Sequence, residues 1–125
     1  MKRTPALNKK RKTLAATSLT VRERKAVREF AQRVRKKLPT QLVTMLLFGS
    51  KARGDSRADS DIDIFLLVKK SNKTTGRGII DAADAVYWKY DVMLSPIEYD
   101  LYEQAVNLEI GSPFFISVYS EGITF

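Results

Sequence analysis

Residues 48–66 read FGSKARGDSRADSDIDIFL and set a Gly-Ser pair, an Arg-Gly pair and a run of aspartates between two apolar segments. The segment before them, Leu42 to Phe48, is a short apolar run ending at glycine, which reads as a strand buried on both faces. Ile62 to Val68 reads the same way. Side chains alternate across a strand, so Asp61 and Asp63 point to the same side where the second strand begins. Two such carboxylates at ~4 Å repel by ~1 kcal/mol in water and by ~4 kcal/mol at an effective dielectric of 20. A bound cation offsets that repulsion. Mg2+ suits the place, because it takes one or two carboxylates together with waters and phosphate oxygens.

The Gly49-Ser50 pair closes the first strand. Glycine there allows a sharp turn and close approach of a ligand to the backbone. Ser50 offers a hydroxyl and an N–H. If residues 50–53 form a helical turn, its free N–H groups face an anion, and Arg53 adds a planar fork of donors suited to phosphate. One strand end thus supplies phosphate grips and its neighbour supplies metal ligands, a combination that a triphosphate carrying Mg2+ satisfies. The bland alternatives are turn capping by Asp61 and Asp63 and a surface pairing of Arg53 with Asp55 or Asp59.

Composition narrows the chemistry. The chain of 125 residues has no cysteine and no histidine, which excludes disulfides, Ser-His-Asp and Cys-His nucleophilic systems and Cys/His zinc sites formed by this chain alone. Length is that of one domain with a single core. No apolar run approaches the ~18 residues of a membrane span, and no apolar segment follows the basic N-terminus as in a secretory signal, so a cytoplasmic location is expected. The net charge of +8 is uneven. Residues 1–40 hold fourteen Lys/Arg against two Glu, a net of +12, and residues 41–125 hold eight Lys/Arg against twelve Asp/Glu, a net of −4. Residues 1–18 read as a basic flexible tail and 19–125 as the folded domain. Lys9 to Lys12 fit non-specific attraction to nucleic acid better than sequence reading, since no aromatics are interleaved among them.

Along the domain, Thr20-Val21-Arg22-Glu23 has the form of a capping box, and Val27, Phe30, Ala31, Val34 and Leu38 follow at helical spacing until Pro39. Lys69 to Gly76 reads as a polar loop. Ile79 to Tyr87 suggests a helix, and Tyr90 to Leu94 a third short strand headed by Asp91. Ser95-Pro96-Ile97-Glu98 has the pattern of a helix start, with Leu101, Tyr102, Ala105 and Leu108 continuing its apolar face. Ser112-Pro113 opens a last short helix, with Phe114, Phe115, Val118 and Tyr119 as packing residues and Gly122 as its stop. Tyr87 and Trp88 read as core, or as flanking a nucleotide base. The order argues for an α/β or α+β layer fold, a small mixed β-sheet flanked by helices.

Gly49-Ser50, ten intervening residues and then Asp61-Ile62-Asp63 resemble the signature of the DNA polymerase beta-like nucleotidyltransferase superfamily, and GSKARGDSRADSDIDIFL is similar to its minimal nucleotidyltransferases, the MNT domains. The resemblance implies the polymerase beta-like nucleotidyltransferase fold. It implies that Gly49, Ser50 and Arg53 bind the triphosphate and that Asp61 and Asp63 bind metal. A third carboxylate comes from a neighbouring strand in that family; Asp91 matches best, ahead of Asp81, Asp84 and Asp100. The implied reaction is attack of an acceptor hydroxyl on the α-phosphorus of ATP or another NTP with loss of pyrophosphate, assisted by two Mg2+ ions, with Asp91 or metal-activated water taking the proton. MNT domains act beside HEPN-domain proteins in toxin–antitoxin pairs, which implies AMP transfer to such a partner and a homo- or hetero-oligomer. Two further readings stand beside it: a small-molecule transferase of the aminoglycoside type, and an inactive nucleotide- or nucleic-acid-binding protein.

Overall fold

The computed structural model describes Leu14, residues 17–54 and residues 61–125. The expected tail lies mostly outside the described residues, as do Asp55 and Asp59. Its described part is packed: Leu14 is buried in the core, and Thr17 Oγ1 donates to the Leu14 carbonyl at 2.6 Å.

Five helices and four strands follow in the order α1 (Val21–Lys37), β1 (Leu42–Phe48), α2 (Ser50–Arg53), β2 (Ile62–Val68), α3 (Lys73–Tyr90), β3 (Leu94–Asp100), α4 (Leu101–Glu109), α5 (Pro113–Glu121) and β4 (Ile123–Thr124). The sheet order is β3-β2-β1-β4. β1 is antiparallel to β2 and β4, and β2 is parallel to β3. A parallel pair requires a long crossover, and α3 supplies it. The result is the mixed sheet with flanking helices that the sequence implies.

The two central strands are apolar on both faces because both faces are covered. Ile62, Ile64, Leu66 and Val68 of β2 pack with Met45 and Leu47 of β1 against α1 and α3. Phe65 and Leu67 pack with Leu46 against Phe115, Val118 and Tyr119 of α5 and Leu108 of α4. Tyr119 is buried with its hydroxyl donating to Gln104 Oε1 at 2.5 Å, and burial pushes that phenol up to about 12.

Local signals explain most of the elements. The Thr20–Glu23 capping box is formed, with Glu23 N–H donating to Thr20 Oγ1 at 3.1 Å and Thr20 N–H to Glu23 Oε1 at 2.9 Å. Pro113 occupies the first turn of α5, and Gly122 follows its end. Three expectations are corrected. The presumed loop at 69–76 already contains the start of α3, where Asn72 caps Thr75 and Thr75 returns the bond. The expected strand at 90–94 begins only at Leu94: α3 runs to Tyr90, and Asp91 is its C-cap in left-handed conformation (φ 55°), with its N–H donating to the Tyr87 carbonyl at 2.9 Å. Ser95 to Glu98 do not start a helix but lie within β3. β3 is an edge strand, where a proline lacking an N–H is tolerated; Pro96 sits opposite Ile64. The helix start falls instead at Asp100, which forms a capping box with Glu103.

Glu98, read as the closing acid of a cap, instead accepts from Thr75 Oγ1 at 2.6 Å and Ser71 Oγ at 3.0 Å and so ties the start of α3 to the sheet. At the other end of α3, Glu29 of α1 accepts from Lys89 Nζ at 2.6 Å, Tyr90 Oη at 2.9 Å and Arg33 Nε at 3.0 Å. Those donors, led by Lys89, hold the Glu29 carboxyl near 2 against an ordinary 4.5. A depressed acid contributes stability that is present above its ordinary value and is lost as pH falls through its folded value. Glu29→Gln is therefore expected to lower the thermal midpoint at neutral pH, by a few degrees at most because Lys89 is solvent-exposed. The gap from the parent protein should close between pH 4.5 and about 2, as read by calorimetric scans across that window.

Candidate active site

The end of β1 and the start of β2 are adjacent in the antiparallel ladder, with Phe48 opposite Asp63. The chain leaves β1 through Gly49 at φ 78°, ψ −159°, a conformation that side chains disfavour. A Cβ on Gly49 would lie 2.5 Å from Asp63 Oδ2. The Gly49 backbone thus lies against the Asp63 carboxylate, which is why this position takes no side chain.

α2 then forms one turn, closed by the Arg53 N–H to the Gly49 carbonyl at 3.0 Å and the Gly54 N–H to the Ser50 carbonyl at 2.9 Å. Its placement depends on a residue that the sequence reading passed over. Lys51 is 2% exposed and pairs with Glu23 at 3.2 Å. The Glu23 carboxylate therefore serves both the α1 cap and the α2 lysine. Ser18 Oγ adds a bond to the Lys51 carbonyl at 3.3 Å. A buried lysine needs such a partner, and the pairing ties α2 to the first turn of α1.

Arg53 is exposed, and its Nη1 lies 3.2 Å from Glu121 Oε2 at the end of α5. Asp61 is exposed and Asp63 half-buried. Asp63 has its proton affinity raised, first by burial and then by the charge of Asp61, with Arg53 opposing. The structure therefore brings Gly49, Ser50, Arg53, Asp61 and Asp63 to one end of the sheet. Asp91 is not on β3, and among the described residues no three acidic side chains converge to hold a metal ion. Asp81 and Asp84 lie within α3, and Asp100 caps α4. Tyr87 and Trp88 are not core: they are 40% and 83% exposed on α3. Two cavities of about 410 and 420 Å3 lie elsewhere, one between Leu38 and Gly78 and one beside Pro39 and Val43. Asp81 lines the first, and neither is lined by Gly49, Ser50, Arg53, Asp61 or Asp63.

An Asp-x-Asp pair thus opens a central strand and is set against a Gly-Ser turn. The sequence model described as "Nucleotidyltransferase domain" matches residues 27–121, and the chain belongs to that family of enzymes. It is 32% identical over 100 residues to "Putative protein adenylyltransferase MJ0604" of Methanocaldococcus jannaschii, covering 80% of this chain and 94% of that protein. It is 38% identical over 74 residues to "Putative protein adenylyltransferase MJ0141" of the same organism, covering 58% of this chain and 75% of that one. A crystal structure titled as a nucleotidyltransferase from Sulfolobus solfataricus superposes with a TM-score of 0.54 at 21% identity, over 94% of this chain and 89% of that one. That likeness shows a shared fold. No helix among the described residues is long and apolar enough to cross a membrane.

Two outcomes follow from this geometry. Gly49→Ala places a methyl group against Asp63 in a left-handed backbone and should destabilise the protein by ~1–3 kcal/mol in denaturant titration. Asp63→Asn should act in the opposite sense at neutral pH. A carboxyl with raised folded proton affinity contributes stability only below its ordinary 3.8, and that contribution is lost as pH rises through the raised value. Removing the charge should therefore raise the thermal midpoint in metal-free buffer at pH 7, and the gain should vanish in acid.

Proposed function

We propose that this nucleotidyltransferase moves AMP from Mg-ATP to a hydroxyl on a protein acceptor. The observation that carries the reading is the Asp61–Asp63 pair seated against the Gly49-Ser50 turn. The residues fit a divalent cation: Asp63 is half-buried beside a second carboxylate, and a dication compensates both the burial and the repulsion. Asp61 and Asp63 would hold the ion. When bound, it would neutralise phosphate charge and polarise the reacting oxygens.

The chain's own residues account for binding and orientation. Gly49 lets the phosphates approach the backbone without a side chain intervening. Ser50 offers its hydroxyl, and Arg53 exchanges Glu121 for phosphate oxygens, a bidentate partner with more charge. The acceptor hydroxyl attacks the α-phosphorus, the bond to the bridging oxygen breaks and pyrophosphate leaves. The choice of AMP and of a protein acceptor rests on the names of the two M. jannaschii relatives. By the resemblance to MNT domains the acceptor would be a HEPN-domain protein, which adenylylation would silence. Association with that partner would supply the acceptor surface.

The test is incubation with each of four α-labelled ribonucleoside triphosphates, Mg2+ and either the neighbouring HEPN protein or a lysate of the source cells. Label from ATP should appear on protein. Asp61→Asn and Asp63→Asn should each lower it by at least about a hundredfold while the fold is retained by circular dichroism. Label that appears on RNA or a small molecule, or that persists undiminished in both variants, would contradict the proposal.

A further inference from the structure

The solvent face of α1 carries charge of one sign. Arg22, Lys25, Arg28, Lys36 and Lys37 are exposed, whereas Glu23 is buried with Lys51 and Glu29 is half-buried beneath Lys89, Tyr90 and Arg33. Among the described residues, none of those five cations pairs with an acid. Residues 1–18 contain no Asp or Glu, and residues 55–60 contain only Asp55 and Asp59, too few to neutralise the five. Arg22 and Lys25 stand seven and four residues before Glu29, and Lys36 seven after it, so all three lie on its side of the helix. From Arg22 to Lys36 the row spans about 21 Å at 1.5 Å per residue. That side adjoins α3. Glu29 bonds Lys89 and Tyr90 at one end, and Lys37 shares a cavity of about 410 Å3 with Lys73 and Arg77 at the other.

Trp88 follows Arg77 by eleven residues, about three turns, so the two stand on the same edge of α3, the edge beside α1. Trp88 is 83% exposed, with Tyr87 edge-on to it at 5.7 Å. An indole in that position adds nothing to the core and offers a planar surface to a ligand. Asp81 and Asp84 are exposed on α3 between Arg77 and Trp88, and they repel phosphate toward α1. A cationic rail on one helix thus runs beside an aromatic platform on the next. We infer that the α1–α3 face binds single-stranded nucleic acid, with phosphates along Arg22, Lys25, Arg28 and Lys36 and a base stacked on Trp88. A duplex satisfies the rail but keeps its bases stacked inside, and an acidic protein satisfies the rail alone. The inference is independent of the transferase chemistry, since it uses none of Gly49, Ser50, Arg53, Asp61 and Asp63.

Trp88 is the single tryptophan of the chain, so its fluorescence reports base stacking directly, which attraction of a strand to the basic N-terminal residues would not change. The full chain is titrated with oligouridylate and oligothymidylate of about twelve nucleotides, a duplex of the same length, and polyglutamate. Both single strands should quench Trp88 saturably, and the stronger of the two identifies the sugar that the face prefers. Affinity should fall with salt at a log–log slope of about −0.7 per phosphate neutralised. By anisotropy of a labelled strand, Lys25→Glu combined with Arg28→Glu should weaken binding at least about tenfold with the fold retained by circular dichroism. Trp88→Ala should weaken it at least about fivefold and leave the salt slope unchanged, since it removes stacking and no charge. Absence of quenching by either single strand would overturn the inference. So would equal quenching by the duplex or by polyglutamate, or unchanged affinity in either variant.

Discussion

Two like charges held at the mouth of an apolar sheet are the constraint around which this molecule is arranged. Asp63 is drawn partly out of water by the strand that carries it, and Asp61 is placed beside it by the period of that strand. Neither burial nor repulsion favours the ionised pair, and a packed sheet with apolar residues at these positions would be the more stable solution. The neighbouring backbone conforms to the pair: Gly49 adopts a positive φ and leaves room for Asp63 Oδ2 where any side chain would collide with it. Local destabilisation that the surrounding structure enforces is the mark of a site kept for a ligand.

The surroundings enforce it through an indirect chain of contacts. Glu23 caps α1 and neutralises buried Lys51; Lys51 orients α2; and α2 carries Ser50 and Arg53. A residue in the first turn of α1 is thereby linked to the turn that follows β1. On the opposite side, Glu121 at the end of α5 meets Arg53. The two helical layers thus each contribute one acid to fix the cations of a single helical turn.

Much of this was legible in the residues. β1 and β2 read correctly because continuous apolar runs bounded by glycine and aspartate have few other solutions, α1 because its capping box is local chemistry, and α5 because Pro113 fits a first helical turn. The spacing from Gly49-Ser50 to Asp61 and Asp63 foretold their meeting, since an antiparallel pair brings the end of one strand to the start of the next. What failed did so where tertiary pairing overrode a local signal. Ser95-Pro96-Ile97-Glu98 satisfies the pattern of a helix start, yet β2 has an open edge that recruits it, and an edge accommodates proline. That one displacement moved Asp91 off the strand. The Asn72–Thr75 box was missed because threonine is an uncommon closing residue, and Glu121 carries no sequence signal of its proximity to Arg53. Family membership came from the one stretch, residues 48–66, in which local pattern and tertiary demand coincide.

The most direct test of the central claim is calorimetric titration of the full chain with a non-hydrolysable ATP analogue, once with Mg2+ and once with a chelator. Saturable binding with Mg2+, lost in chelator and lost again in Asp63→Asn, is the result that a charge-completed aspartate pair requires. Equal binding in the two buffers, unaffected by Asp63→Asn, would show that the pair serves something other than a metal-bearing nucleotide.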